Sequence, residues 1–205
     1  MPQSVSLGKI AFGLGLRPNG ESGLIATSLE AFRKYQLESA WVWEHQALTR
    51  ARFSAGERAI GEAFERIRDE VLRLPRELGA LRTEVLAMRQ KMRDAHGGKS
   101  ALFDLKHDPG GLIDVEFLIQ YLVLGHAHAH PQLTGNLGNI ALLRIAGELG
   151  LIPPALAVAC ADSYRELRRL QHRQRLNDRP SRVDPDEAGR ARQPVLALWE
   201  SVFGT

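Results

Sequence analysis

The sequence predicts an all-α fold, a bundle of about six to eight helices behind an irregular N-terminal segment. Three observations predict it. Apolar residues recur at the helical period along most of the chain, the stretches between them are short, and those stretches carry residues that start or stop helices. Short connections between amphipathic helices favour an up-and-down arrangement. The sequence contains no internal repeat, heptad array or low-complexity tract. Its 205 residues are 44% apolar and 25% charged, as in ordinary globular proteins. A chain of this length can bury a core without disulfides or metals.

Residues 1–26 are the stretch that resists a helical reading. Gly8, Gly13, Gly15, Gly20 and Gly23 interrupt them, and RPNGESG at 17–23 is turn chemistry. Thr27 and Glu30 then form a capping-box pattern, and a helix follows through 29–36. Residues 38–52, ESAWVWEHQALTRAR, keep helical spacing. Residues 57–74 carry Ile60, Phe64, Ile67 and Val71 as one apolar stripe, and Pro75 ends it. Residues 78–96 repeat the theme with Leu81, Val85, Met88 and Met92. The two stripes read as an antiparallel pair, with Gly97-Gly98 as C-cap.

The second half is punctuated as clearly. Asp108-Pro109 reads as an N-cap and first-position proline before the apolar run 112–124. Residues 136–149 form another helix that stops at Gly150. Pro153-Pro154 opens a long helix toward Leu176, and 177–184 is a polar loop. Asp184-Pro185 opens the last helix, which reaches Trp199 and Phe203. Two units follow from this reading: residues 1–26, and a bundle over 27–205.

Composition excludes several classes. Formal charge is +3, from 27 basic and 24 acidic residues, too balanced to argue for nucleic acid. The most basic run, 165–175, has no interleaved aromatics to stack on bases. It reads as a solvated helix pairing with Asp69, Glu70, Glu84 or Glu148. No stretch reaches the ~18–20 apolar residues of a membrane span, and residues 1–15 lack a signal-peptide core. Cys160, the single cysteine, sits among alanines and valine and reads as a small buried apolar residue in a reducing, cytoplasmic setting.

The polar residues of 103–124 carry the candidate chemistry. Lys106 and the Gly110-Gly111 turn precede a helix start, where free N–H groups favour anions. The alternative is a tight loop-to-helix junction with Lys106 in a salt bridge. Asp114 and Glu116 point about 200° apart on a helix, so each needs its own partner: an arginine, a neighbouring domain or a cation. They do not make a metal site together. His126 and His130 share a face, but no third ligand is spaced to help.

Two stretches go further. They are 17–52 and 103–133, whose patterns AWVWEHQALTRAR (40–52) and DLKHDPGGLIDVEFLIQYLVL (104–124) are long and ordered. With them, the chain from about Leu16 onward resembles the C-terminal adenylyltransferase half of bacterial glutamate-ammonia-ligase adenylyltransferase. Asp114 favours that half over the deadenylylating one. A K-x-x-x-GG motif is shared more loosely with the uridylyltransferases of nitrogen regulation.

The resemblance implies a multidomain parent. Its C-terminal half transfers AMP from ATP to a tyrosine of glutamine synthetase, using magnesium, and a PII signalling protein sets the balance. This chain would be the helical domain that follows the nucleotidyltransferase domain. The family's metal-binding Gly-Ser-Asp-x-Asp motif is absent from the sequence. Where a further acid and arginine are expected, Gly13 and Gly15 stand, leaving Arg17 and Pro18. The chain is therefore expected to be an excised domain or a degenerate relative, inactive alone, with no catalytic or metal residue and no tightly bound cofactor. Arg17, Lys106, Gly110, Gly111, Asp114 and Glu116 are the expected contacts to nucleotide or to the domain cleft. The expected partners are the upstream nucleotidyltransferase domain, glutamine synthetase and PII. The alternative is a non-catalytic module that binds glutamine synthetase or PII.

Overall fold

A computed structural model describes residues 9–11, 26–96 and 100–204. Arg17, the whole 17–23 turn and the Gly97-Gly98 pair lie outside the described residues. Two short strands, β1 (Lys9–Ala11) and β2 (Ala26–Ser28), pair antiparallel ahead of the helices. Eight α-helices follow among the described residues: α1 (Leu29–Glu38), α2 (Val42–Leu48), α3 (Arg58–Leu72), α4 (Leu78–His96), α5 (Leu112–His126), α6 (Asn139–Glu148), α7 (Pro154–Leu176) and α8 (Pro185–Phe203). Between them β3 (Phe103–Asp104) pairs antiparallel with β4 (Arg182–Val183).

The α5 helix organises the bundle. Twelve of its fifteen residues are buried, from Leu112 to Leu124 with only Glu116 partly open. A helix apolar on all sides needs neighbours on all sides, and α2, α4, α6, α7 and α8 supply them. Each fully buried leucine or phenylalanine contributes about 1.5–3 kcal/mol, so Leu118, Leu122 and Leu124 at the centre anchor the packing. The α6–α7–α8 segment follows the sequential packing that its short loops predict. The first half does not: α3 packs on α1 and α2, while α4 packs on α5 and α2. The expected α3–α4 pair is replaced because the stripes of both helices find better cover elsewhere. Phe64 meets Phe32 of α1 at 5.7 Å between ring centroids, and Val85 is fully buried.

Several boundaries shift for local reasons. Ser28, one residue after Thr27, caps α1 by accepting from Ala31 N–H at 3.1 Å. The 38–52 stretch is helical only over α2, and α6 begins at Asn139 instead of 136. Asp108 does not cap α5. Its carboxylate turns back to accept from Asp104 N–H at 2.8 Å, and Gly111 takes the N-cap position. The Pro153-Pro154 and Asp184-Pro185 starts stand as read, and Asp184 accepts from Asp186 N–H at 2.9 Å.

Candidate functional site

The loop before α5 is built around carboxylates and glycine. Asp104 accepts from the N–H groups of Lys106 (2.9 Å) and His107 (3.0 Å). Burial would push its pKa up, but these donors and the His107 imidazole outweigh burial and hold it below the usual aspartate value. Gly110 lies at φ +81°, and a Cβ there would sit 3.2 Å from the Arg192 carbonyl and 3.1 Å from Leu196 of α8. At Gly111 a Cβ would sit 2.9 Å from the Asp108 carbonyl. The pair is thus required by backbone shape and close approach.

That junction uses its own donors. Gly110 N–H donates to Asp114 Oδ2 at 2.7 Å. Gly111, Leu112 and Ile113 N–H donate to the carbonyls of Asp108, Leu105 and Lys106 at 2.9, 2.9 and 3.2 Å. The four N–H groups at positions 110–113 therefore have acceptors inside the chain. The Lys106 side chain is exposed and makes no ion pair among the described residues.

The two α5 carboxylates face different neighbours, as their spacing requires. Asp114 is fully buried and accepts from Arg89 Nε at 2.6 Å, with Arg93 at 3.5 Å. Arg89 also donates to the His107 carbonyl at 2.7 Å, so α4 is bound to the turn as well as to α5. Burial acts on the Arg89 guanidinium more strongly than its partner does and lowers its pKa. Arg93 lies 5.8 Å from the Trp199 ring, reaching α8. Glu116 is partly open to solvent and pairs with Arg50 at 2.8 Å, and the Tyr164 hydroxyl of α7 lies 3.4 Å away. One turn on, Gln120 accepts from Gln46 at 2.9 Å.

These contacts join the two patterned stretches. Gln46–Gln120 and Arg50–Glu116 are successive rungs between residues 40–52 and residues 104–124. Tyr35 and Glu44 add rigidity at the start of α2: the Tyr35 hydroxyl donates to Glu44 at 2.9 Å, and Trp41 N–H donates to the same carboxylate at 2.8 Å. Arg68 closes the other end of α2, donating to the carbonyls of Leu48 and Thr49 at 3.1 and 2.8 Å.

Comparison with known proteins gives the junction a context. Residues 9–67 match the family model described as glutamate-ammonia ligase adenylyltransferase, and residues 81–189 match the one described as GlnD PII-uridylyltransferase. A bifunctional glutamine synthetase adenylyltransferase/adenylyl-removing enzyme from Aromatoleum aromaticum is 76% identical over 192 residues, which is 94% of this chain and 20% of that protein. The chain belongs to the glutamate-ammonia-ligase adenylyltransferase family. Proteins with the same description from Nitrosomonas europaea and Bordetella bronchiseptica are 55% and 56% identical, over 94% and 93% of this chain and 22% and 20% of their own lengths. The chain spans about a fifth of the curated relatives it matches. The match to two family models meets the looser sharing of the Lys-Gly-Gly motif noted in the sequence.

The arrangement can bind and position groups. Among the described residues no three His, Cys, Asp or Glu side chains gather as metal ligands. Asp114 and Glu116 are committed to arginines, and the donor set does not fit a magnesium ion. Cys160 is buried, and burial pushes its thiol up to about 12, which removes it as a nucleophile. The basic run of α7 pairs with other acids than Asp69, Glu70, Glu84 or Glu148: Arg165 with Asp162 and Arg169 with Glu166 within the helix, and Arg173 with Glu187 of α8. No helix of the described residues is long and apolar enough to cross a membrane.

Sequence reasoning missed the residues around Glu116. Arg50, Tyr164, Arg52, Arg168 and Asn139 line or edge a cavity of about 300 Å³ beside it. The i, i+4 relation of Gln46 to Arg50, matching that of Glu116 to Gln120, was the available signal: two polar ladders of the same pitch suit each other.

Proposed function

We propose that this chain is the helical domain that follows the nucleotidyltransferase domain in an enzyme that moves AMP from ATP onto glutamine synthetase, and that it forms one wall of that enzyme's cleft. The observation that carries the reading is the pair of rungs, Gln46–Gln120 and Arg50–Glu116, by which the two patterned stretches become one surface. In this reading Gly110, Gly111 and Asp114 set the shape of the wall, while Lys106, Glu116 and Arg17 supply groups toward the neighbouring domain or nucleotide. Magnesium and ATP chemistry belong to the neighbouring domain, and no step is assigned to a side chain of this one.

Glutamine synthetase and a PII protein are the proposed partners of the whole enzyme. A second reading, a non-catalytic module that docks one of these proteins, draws on Trp41 and Trp43, which are 68% and 40% exposed at the start of α2. Exposed aromatics of this kind anchor interfaces.

The test uses labelled ATP, magnesium and glutamine synthetase. The isolated chain is expected to incorporate no AMP. A chimera of the Aromatoleum relative carrying this chain in place of its own matching segment is expected to incorporate it. Appreciable incorporation by the isolated chain, or an inactive but folded chimera, overturns the cleft-wall reading. Tight binding of either partner by the isolated chain favours the docking module.

A further inference from the structure

The cavity beside Glu116 is lined by Thr49, Arg50 and Arg52 after α2, by Gly138 and Asn139 at the start of α6, and by Tyr164 and Arg168 of α7. We propose that it is a binding site for a phosphoryl dianion, free or carried on a nucleotide. At about 300 Å³ it is at the small end of ligand pockets, the size for one charged group rather than a whole large ligand. The proposal rests on these residues alone and does not require that the chain take part in AMP transfer.

Charge decides the ligand class. Three arginines, Arg50, Arg52 and Arg168, line the cavity, and Glu116 neutralises one of them through its 2.8 Å pair with Arg50. Arg52 makes no ion pair or hydrogen bond among the described residues, and Arg168 donates only to the neutral Gln171 amide at 3.1 Å. Two positive charges therefore stand uncompensated at one concave surface. The same helix shows the alternative: Arg165, Arg169 and Arg173 each pair with a carboxylate. Arg168 breaks that pattern and lines the cavity instead. Two free guanidinium forks match the oxygens and the charge of a phosphate dianion better than those of a single carboxylate.

The rest of the lining agrees. The ten-residue α6 has Gly138 as N-cap with no side-chain cap, so its first N–H groups add positive potential at the cavity edge. Asn139 is buried and lines the same wall as Tyr164. Tyr164 in turn touches Glu116, so the wall behind the arginines is held in place.

The experiment is calorimetric titration of the chain at low ionic strength, without metal, using inorganic phosphate, pyrophosphate, AMP and ATP as probes, with acetate as the carboxylate control. The expected result is saturable binding of phosphate-bearing probes, absent for acetate and weakened by added salt. Arg52→Gln and Arg168→Gln each lower affinity about tenfold or more, and Arg168→Lys falls between. Arg165→Gln removes the same charge from the same helix outside the cavity and leaves affinity unchanged. Phosphate binding as tightly as nucleotide identifies a free-anion site, and tighter nucleotide binding identifies a nucleotide-borne group; both support the proposal. Circular dichroism checks that each variant is folded. No saturable binding by the folded parent chain, or equal weakening by Arg165→Gln, overturns it.

Discussion

Asp114→Asn isolates what the buried pair contributes. The substitution keeps the shape of the side chain, and its amide oxygen can still accept from Gly110 N–H, now 2.7 Å from Asp114 Oδ2. What it removes is the charge facing Arg89, 1% exposed and 2.6 Å away. The His107 carbonyl remains as a partner for Arg89, but no carboxylate stays within ion-pair distance, Asp108 acting only from farther off, and Arg93 is a second cation at the same site. Leaving a buried charge unpaired costs about 3–5 kcal/mol, a large share of the ~5–15 kcal/mol that holds a domain folded. With a urea slope on the order of 2 kcal/mol per molar, the unfolding midpoint falls by roughly 2 M. Urea titration followed by far-ultraviolet circular dichroism measures it. Adding Arg89→Met to the same chain removes the stranded cation and recovers much of the loss, because removing both partners of a buried pair is often near neutral. A midpoint for Asp114→Asn within error of the parent, or a double variant worse than both singles together, refutes the reasoning.

Three further outcomes are expected. Gly110→Ala, forced to φ +81° with its Cβ against the Arg192 carbonyl, should lose about 1–3 kcal/mol of stability, read by thermal melting. His45 donates from Nε2 to the Gln36 carbonyl at 3.0 Å and faces Arg76 at 3.3 Å. Burial chiefly, and Arg76 next, hold its pKa below the ordinary 6.5 despite the Gln36 bond. The unfolded chain then binds the extra proton first, so this contribution is complete above about pH 6.5 and is lost as pH falls through the lower folded value; melting temperatures of parent and His45→Gln chains against pH should converge toward acid. Cys160 should resist a thiol reagent at pH 8 in the folded chain and react only after denaturation, since it is fully buried with its thiol pushed up to about 12.

The fold was legible where one residue type admits one solution. The apolar run of α5 demanded burial on every side, and Pro154 and Pro185, each after a residue that suits an N-cap or turn, sit in the first helical turn, whereas Pro194 lies inside α8. It was less legible where polar groups had a choice. Asp108 offered a plausible cap, yet its carboxylate found the nearer Asp104 N–H, the usual competition between local side-chain bonds and capping. The opposite facing of Asp114 and Glu116 followed from helical geometry, whereas their partners did not. Arg89 and Arg68 follow Val85 and Phe64 of the apolar stripes by four residues, and both are buried because a carboxylate or a set of carbonyls awaits them across the bundle. The cavity arginines were hidden for the same reason: Arg168 sits in a basic run whose members look alike in sequence and differ only in what lies opposite.

The central claim is that the two patterned stretches form one functional surface through Arg50 and Glu116. Rates of AMP incorporation into glutamine synthetase test it in the Aromatoleum chimera, with Arg50→Glu and Glu116→Arg made singly and together. Each single reversal is expected to lower the rate about tenfold or more, and the double reversal to restore a substantial part, the signature of a coupled pair. Single reversals that fold normally and run at the parent rate would contradict it.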